Sequence, residues 1–242
     1  MRPLILCYHA ISDSWDDQLA ISPSAFARQI RTLLRRGYRA ITAAEAVRGT
    51  SRSFHVTFDD AFRGVLTVAP LLQLLNVPAT VFACPAFADV GRPLDVPELV
   101  RSSRLDREEG RTMNWTELRT LAQHGIEVGS HTLTHRHLTH LSATALEREL
   151  RESRERLQHE LGRPCRHLAY PYGEHDERVR AAAERVGYEA AFALDEEAHP
   201  GDPFSVPRIG IWRTDGFVRL TLKTMPGVSR GVRRLRRLTA RR

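Results

Sequence analysis

The chain has 242 residues, of which 42% are apolar and 27% charged, a composition typical of a globular protein and not of a disordered one. It contains no apolar run of 18 residues, and its start turns polar too soon for a signal peptide, so the composition predicts neither a membrane span nor secretion. Three widely spaced cysteines, Cys7, Cys84 and Cys165, predict no disulfide framework. The expected location is therefore the reducing cytoplasm.

The net charge of +7 is concentrated in the last thirteen residues, 230–242, which hold seven Arg and no acidic residue. The rest of the chain is neutral, with 29 basic and 29 acidic residues. We predict a catalytic domain over 1–228 and a basic tail over 229–242. Such a tail is typical of a frayed terminus, of peripheral contact with an anionic membrane, or of non-specific nucleic-acid binding. No specific nucleic-acid partner is expected, and the oligomeric state cannot be read.

Short apolar segments alternate with amphipathic ones along the chain. The pattern predicts strands at 4–9, 38–41, 54–58, 79–83, 126–130, 167–170, 190–194 and 206–211. It predicts helices from Ser22 to Gly37, from Thr42 through Val47, and over 115–122, 141–161 and 178–186. A further helix is predicted to include Leu71, Leu72 and Leu75 and to end before Pro78.

This alternation predicts an α/β protein with a parallel sheet of about eight strands, either closed into a barrel or open and doubly wound. Both architectures place a site at the carboxyl ends of the strands. The segment 87–113, rich in charged residues, interrupts the alternation and is interpreted as a surface excursion, with a substrate lid as the alternative.

Two adjacent carboxylates, Asp59 and Asp60, close the strand at 54–58. Neighbouring carboxylates at a buried strand end repel each other unless a cation or hydrogen bonds compensate them. A solvated turn is the alternative interpretation, because Asp is common where strands end.

A second cluster places four histidines within ten residues, at positions 131, 135, 137 and 140. His131 and His135 are four apart, so one helical turn would place both rings on one face, which is half of a zinc site. A histidine-rich surface turn is the alternative, and His137 and His140 are interpreted as solvated neighbours. One Asp and two His would leave a fourth metal position open, and the second Asp would be free as a base.

The motifs resemble those of the polysaccharide deacetylases, the NodB-homology carbohydrate esterases. Residues 57–60 match their T-F-D-D motif, 131–135 match H-[ST]-x-x-H, and 170–173 resemble their third motif in the form Y-P-Y-G. The start L-C-Y-H-A-I at 6–11 is similar to that of a branch with biofilm-polysaccharide deacetylases. The resemblance extends over residues 4–212.

The resemblance implies a single-domain, distorted (β/α) barrel of the TIM type with seven to eight parallel strands. It implies a divalent metal, usually Zn²⁺, held by Asp60, His131 and His135, with Asp59 as the base. The backbone N–H of Tyr172 would stabilise the oxyanion. The expected reaction removes acetyl groups from N-acetylated sugars of a polysaccharide, an oligosaccharide or a lipid-linked glycan.

The sequence departs from the family pattern at three points. Ala169 stands where the family often has the Arg that orients the base, and Ala61 replaces a Gly. No L-x-H supplies the histidine that protonates the leaving amine; we predict that His9 replaces it, with His175 and His199 as alternatives. These departures keep open a non-catalytic carbohydrate-binding protein and a hydrolase of non-sugar amides.

Three further residues have a predicted place. His55, in the middle of a strand, is interpreted as a core histidine whose hydrogen bonds are satisfied. Trp115 is expected in the core, whereas Trp212, near a strand end, is expected equally in the core or under a sugar ring.

Overall fold

The computed structural model describes residues 2–49, 51–94, 108–194, 198–199 and 201–215. The basic tail and residues 95–107 of the interrupting segment lie outside these ranges. The strands are β1 (Leu4–Tyr8), β2 (Ala10–Ile11), β3 (Ala20–Ile21), β4 (Arg39–Ala40), β5 (Ser53–Phe58), β6 (Ala79–Ala83), β7 (Glu127–Ser130), β8 (His167–Ala169), β9 (Ala190–Leu194) and β10 (Val206–Gly210).

Seven parallel strands close into a barrel in the order β1-β10-β9-β8-β7-β6-β5, and β5 pairs back to β1. Closure excludes the open doubly wound sheet and confirms the predicted (β/α) barrel of a single domain. The short strand β4 pairs with the start of β5, and β2 and β3 form a separate two-stranded sheet.

Helices surround the barrel. They are α1 (Pro23–Arg35), α2 (Ala43–Arg48), α3 (Ala69–Leu74), α4 (Pro85–Ala88), α5 (Trp115–Gln123), α6 (Ala143–Leu161) and α7 (Glu177–Val186), with 3-10 turns at Arg63–Thr67, Leu138–His140 and Pro171–Gly173. Their starts follow local capping chemistry: Ser22, Thr42, Asn114, Ser142 and Asp176 each accept a hydrogen bond from a first-turn N–H.

Alternate side chains of the strands point in opposite directions, as the two-residue period of a strand requires. Outward residues such as Val56 and Phe58 pack against the helices, whereas Phe82 and Phe192 meet inside the barrel with ring centroids 5.6 Å apart. Gly129 is required beside them, because a Cβ there would lie 2.6 Å from the Phe82 ring. These side chains therefore fill the interior of the barrel, as in other barrels of this type.

The interior also holds polar residues near the amino ends of the strands. Nδ1 of His55 donates to the Ile41 carbonyl at 2.7 Å, and its Nε2 contacts the Thr80 hydroxyl at 3.0 Å. Thr80 contacts Glu127, which in turn contacts His167. The interpretation of His55 as a satisfied core histidine is confirmed.

Most predicted elements agree with the structure to within one or two residues. The long helix begins at Ala143 instead of 141, because Ser142 caps it, and β2, β3 and α4 were not predicted because they are very short. Bridges join Pro93 to Arg111 and Phe62 to Thr112 at the base of the interrupting segment. The question of a surface excursion or a lid falls on residues 95–107, outside the described ranges.

Candidate active site

The carboxyl ends of the strands surround a cavity of about 370 Å³. The six site residues predicted from the sequence line it: His9, Asp59, Asp60, His131, His135 and Tyr172. They follow the ends of β1, β5 and β7 or belong to the turn after β8. Asp17, Gln18, Leu19, Leu94, Gly173, Leu194 and Trp212 complete the wall. The structure thus brings all six predicted site residues into one cavity.

Asp60, His131 and His135 form a compact group of three possible metal ligands. Oδ1 of Asp60 lies 3.5 Å from Nε2 of His131 and 3.2 Å from Nε2 of His135. All three residues are at least 93% buried, and Oδ1 of Asp60 has no hydrogen-bond partner in the described part of the chain. A buried carboxylate oxygen without a partner, facing two imidazole nitrogens, fits a divalent cation.

The tautomer of His131 supports this fit. Its Nδ1 donates to the Ala169 carbonyl at 2.8 Å, so the lone pair of the neutral ring is on Nε2, which faces Asp60. Burial lowers the pKa of His131 to about 4, so the ring is neutral at neutral pH, as a metal ligand must be. Burial alone would raise the pKa of Asp60, but His135 and His131 lower it below its ordinary value.

The four-residue spacing of the two histidines predicted a helical turn with both rings on one face, but the structure has no helix there. They lie on an irregular loop after β7, in which Thr132 and His135 have φ of 67° and 60°. Both oxygens of the buried Glu149, on α6, accept hydrogen bonds from Thr134, one from the backbone N–H and one from the hydroxyl. Glu149 therefore holds the middle of the loop that carries both rings.

Asp59 is held by Arg208, which the sequence analysis did not single out. The Arg208 guanidinium donates to Oδ1 of Asp59 at 2.6 Å and to Oδ2 at 2.8 Å, and it also contacts the Thr57 hydroxyl at 3.1 Å. Burial alone would raise the pKa of Asp59, but the charge and hydrogen bonds of Arg208, together with His131 and His9, hold that pKa far below its usual range. Asp59 is thus a fixed, fully ionised carboxylate.

Ala169 stands where the family often has an Arg, and in this chain Arg208 is the arginine that holds Asp59. It lies on β10, on the strand face that points into the barrel, and no part of its side chain is exposed. A signal was present: a lone Arg between apolar residues of a predicted strand is rarely buried without a carboxylate partner. Nothing in the sequence identified that partner 149 residues earlier.

Cys7, His9 and Asp59 form a second group whose possible ligand atoms lie within 4.8 Å of one another. The Cys7 thiol donates to Oδ2 of Asp59 at 3.3 Å, and burial raises the pKa of that thiol well above its ordinary value. Because the Arg208 guanidinium already neutralises Asp59, this group fits a metal ion less well than the group around Asp60.

His9 lies at the end of β1, and its ring stacks on that of Trp212, with centroids 5.6 Å apart and an angle of 20° between planes. Nδ1 of His9 is buried and lacks a hydrogen-bond partner among the described residues. His175 and His199 do not line the cavity and instead contact Ser205. Of the three predicted substitutes, His9 is therefore the one placed beside Asp59 and Asp60.

A series of hydrogen bonds holds Trp212 in place. Its backbone N–H donates to Oδ2 of Asp215 at 2.9 Å. The Asp215 carbonyl accepts from Gln29, which accepts from the Tyr8 hydroxyl at 2.8 Å. Trp212 is thus a wall of the cavity, whereas Trp115 is 8% exposed and packs in the core, as predicted.

Strained backbone is concentrated at this cavity. Seven described residues other than glycine have positive φ, and five of them belong to the loops of the site: Asp60, Ala61, Thr132, His135 and Tyr172. Residues with a Cβ avoid this conformation, and such strain is typical of functional sites. Ala61, at φ 51°, has the backbone conformation that favours glycine, the residue that the family has at this position.

Comparisons with known proteins agree with the motifs. The family model for polysaccharide deacetylases matches residues 46–191, more than half of the chain. The curated protein YxkH of Bacillus subtilis, which carries the name of a polysaccharide deacetylase, is 25% identical over 206 residues. That alignment covers 82% of this chain and 66% of YxkH, so the chain spans slightly less than two thirds of that relative.

Solved structures share the fold. The Streptococcus pyogenes deacetylase PplD, determined in complex with acetate, superposes with a TM-score of 0.77 at 21% identity, covering 93% of this chain and 99% of PplD. A de-N-acetylase of Aggregatibacter actinomycetemcomitans superposes with a TM-score of 0.72 at 21% identity, covering 91% of this chain and 99% of the other. With the family model, the motifs and the closed barrel in agreement, the chain belongs to the polysaccharide deacetylase family.

Proposed function

We propose that this protein hydrolyses the acetamide group of an N-acetylated sugar and releases acetate and a free amine. One observation carries the proposal. A group suited to a cation, formed by Asp60, His131 and His135, lies directly beside Asp59, which Arg208 holds as an anion. Adjacent carboxylates in a buried site are costly, and a division of roles between them removes that cost.

The ligand group is neutral imidazole plus one carboxylate, a set that suits Zn²⁺ and its neighbours among the divalent transition metals. When bound by Asp60, His131 and His135, such an ion would supply a Lewis acid for the amide carbonyl and would increase the acidity of nearby water.

Asp59 would act as the general base. Its carboxylate takes a proton from the attacking water as the new C–O bond forms, and the fork from Arg208 fixes its orientation while this happens. The backbone N–H of Tyr172 would stabilise the negative charge that develops on the carbonyl oxygen.

His9 would act as the acid. When the C–N bond breaks, the leaving amine needs a proton, and His9 is the imidazole on the cavity wall that does not belong to the ligand group. Trp212 supports the ring by stacking. The apolar walls supplied by Leu19, Leu94 and Trp212 are suited to the faces of a sugar ring.

The test begins with metal content and affinity of the purified protein. We expect about one zinc ion per chain and its loss in His131→Ala, with His124→Ala, which changes an exposed histidine, as the control. Acetate release from N-acetylated glycans is then measured for the wild type and for His131→Ala. Wild-type protein that binds no zinc, cobalt or nickel above the level of His131→Ala contradicts the proposal.

Acetate release also separates the enzyme from a carbohydrate-binding protein of this fold. A binding protein has no use for a base, so Asp59→Asn would leave both its metal and its sugar affinity intact and would have no turnover to lose. Screening of acetylated sugars against simple amides decides whether the substrate must be a sugar. No described helix combines the length and apolar character needed to cross a membrane.

A further inference from the structure

The turn Pro171–Glu174 has an unusual conformation at Tyr172. Tyr172 has φ 61° and ψ 0°, Gly173 has φ 76°, and the Glu174 N–H donates to the Pro171 carbonyl at 3.2 Å. These are the torsions of a type I′ turn, whose first central position favours Gly, Asn or Asp. A tyrosine there must be held by contacts that outweigh its backbone strain.

The ring of Tyr172 makes those contacts. It stacks on the His137 ring with centroids 3.9 Å apart and 8° between planes, and it meets the His135 ring edge-on at 4.8 Å. Nδ1 of His137 lies 2.8 Å from Oε2 of Glu174, the last residue of the same turn. The turn is thus attached to His137 at two points, through the Tyr172 ring and through the Glu174 carboxylate.

We propose that His137 and Glu174 are positioning residues that clamp Tyr172 in the left-handed conformation and so aim its backbone N–H into the cavity. The proposal rests on the proposed function, in which that N–H stabilises the oxyanion. The angle φ is the torsion about the N–Cα bond of Tyr172. A ring held on His137 therefore fixes the orientation of the peptide plane that carries the N–H.

The interpretation of His137 as a solvated neighbour changes accordingly. His137 is half-buried, and its ring also stacks on the exposed ring of His140, with centroids 5.3 Å apart. His140 therefore offers a matched control, because it stacks on the same ring.

The kinetic test compares His137→Ala, His137→Phe and His140→Ala. A misdirected oxyanion donor affects the transition state more than substrate binding, so in His137→Ala we expect kcat to fall about tenfold with KM within about twofold. His137→Phe keeps the flat ring but loses the contact with Glu174, so it should recover part of kcat, and His140→Ala should match wild type. Zinc affinity of all three should equal that of wild type, which excludes an effect through His135.

A double-mutant cycle isolates the clamp. Glycine adopts positive φ without strain, and Tyr172→Gly also removes the ring that His137 holds. In that background, His137→Ala should cause no further fall in kcat. An equal fall in both backgrounds, or a His137→Phe variant as slow as His137→Ala, overturns the proposal.

A crystal structure of His137→Ala tests the clamp without any substrate. We expect Tyr172 to leave the left-handed region or to occupy two conformations. A Tyr172 that keeps φ near 61° with an unchanged turn overturns the clamp, even if the protein is an active deacetylase. Wild-type protein that releases no acetate instead contradicts the proposed function, and the crystal structures still decide whether the clamp exists.

Discussion

Arg208 and Asp59 form a buried ion pair in which Nη1 donates to Oδ1 at 2.6 Å and Nη2 donates to Oδ2 at 2.8 Å. The two residues come from β10 and from the end of β5, and neither is more than 4% exposed. The pair affects both the protonation of Asp59 and the stability of the fold. The Arg208 charge keeps Asp59 ionised, and the same charge would be buried without a partner if Asp59 were removed.

We expect Arg208→Leu to destabilise the protein by about 3–5 kcal/mol, because it leaves the Asp59 carboxylate buried without its cation. The double variant Asp59→Asn with Arg208→Leu should be more stable than Arg208→Leu alone, since no charge is then stranded. Urea unfolding of the metal-free proteins measures both values. A double variant as unstable as the sum of the two single variants would show that the pair is not coupled.

Asp59→Asn should reduce kcat by at least ~100-fold, because an amide cannot accept the proton that a general base takes. The buried Arg208 charge then lacks its anion, so the variant should be less stable than wild type, but Arg208 can still donate to the amide oxygen and the protein should fold. Zinc affinity should stay within about threefold of wild type, as the ligand group does not include residue 59. Acetate release and zinc titration on the same preparation check this, and retained turnover would assign the base elsewhere.

Glu149→Leu should weaken zinc binding by about 10–100-fold, the usual effect of removing a group that orients metal ligands. The reason is that Thr134, between the two histidines, loses both of its acceptors. Glu155→Leu, an exposed position on the same helix, is the matched control. Competition with a chromogenic chelator measures the affinities, and equal values for the two variants would exclude the loop anchor.

Stability should fall as the pH drops from about 6.5 to about 4. Burial lowers the pKa of His55 to about 4, so the folded protein keeps this ring neutral in a range where the unfolded chain binds a proton. The unfolded state binds more protons, and stability therefore decreases towards acid, by up to about 3 kcal/mol for this residue.

His55→Gln should flatten this dependence, because the amide does not titrate and can replace the hydrogen bonds to Ile41 and Thr80. His124→Gln, at an exposed position, should leave the dependence unchanged. Free energies of unfolding at pH 7, 5.5 and 4.5 check both. If the free energy of unfolding of His55→Gln changes with pH as much as that of wild type, His55 is not the source of the pH dependence.

Much of this molecule was predictable from its sequence, and the limits have physical causes. The strand at β5 and the positions of Asp59, Asp60 and His131 follow from alternation and from the rule that parallel strands carry sites at their carboxyl ends. The loop of His135 was wrongly expected to be a helical turn, because four-residue spacing is typical of a helix and left-handed residues give no sequence signal when they are not glycine. Arg208 was missed because pairing across a closed barrel depends on register, which one sequence does not show.

The order in which the site is assembled has a consequence for synthesis on the ribosome. The proposed metal ligands lie wholly within residues 60–135, whereas the partner of Asp59 belongs to β10, the strand that completes the barrel by pairing with β1. A nascent chain would contain these proposed ligands long before it contains Arg208. Hydrolytic competence would then follow barrel closure, and an unfinished chain that had captured zinc would still lack an oriented base.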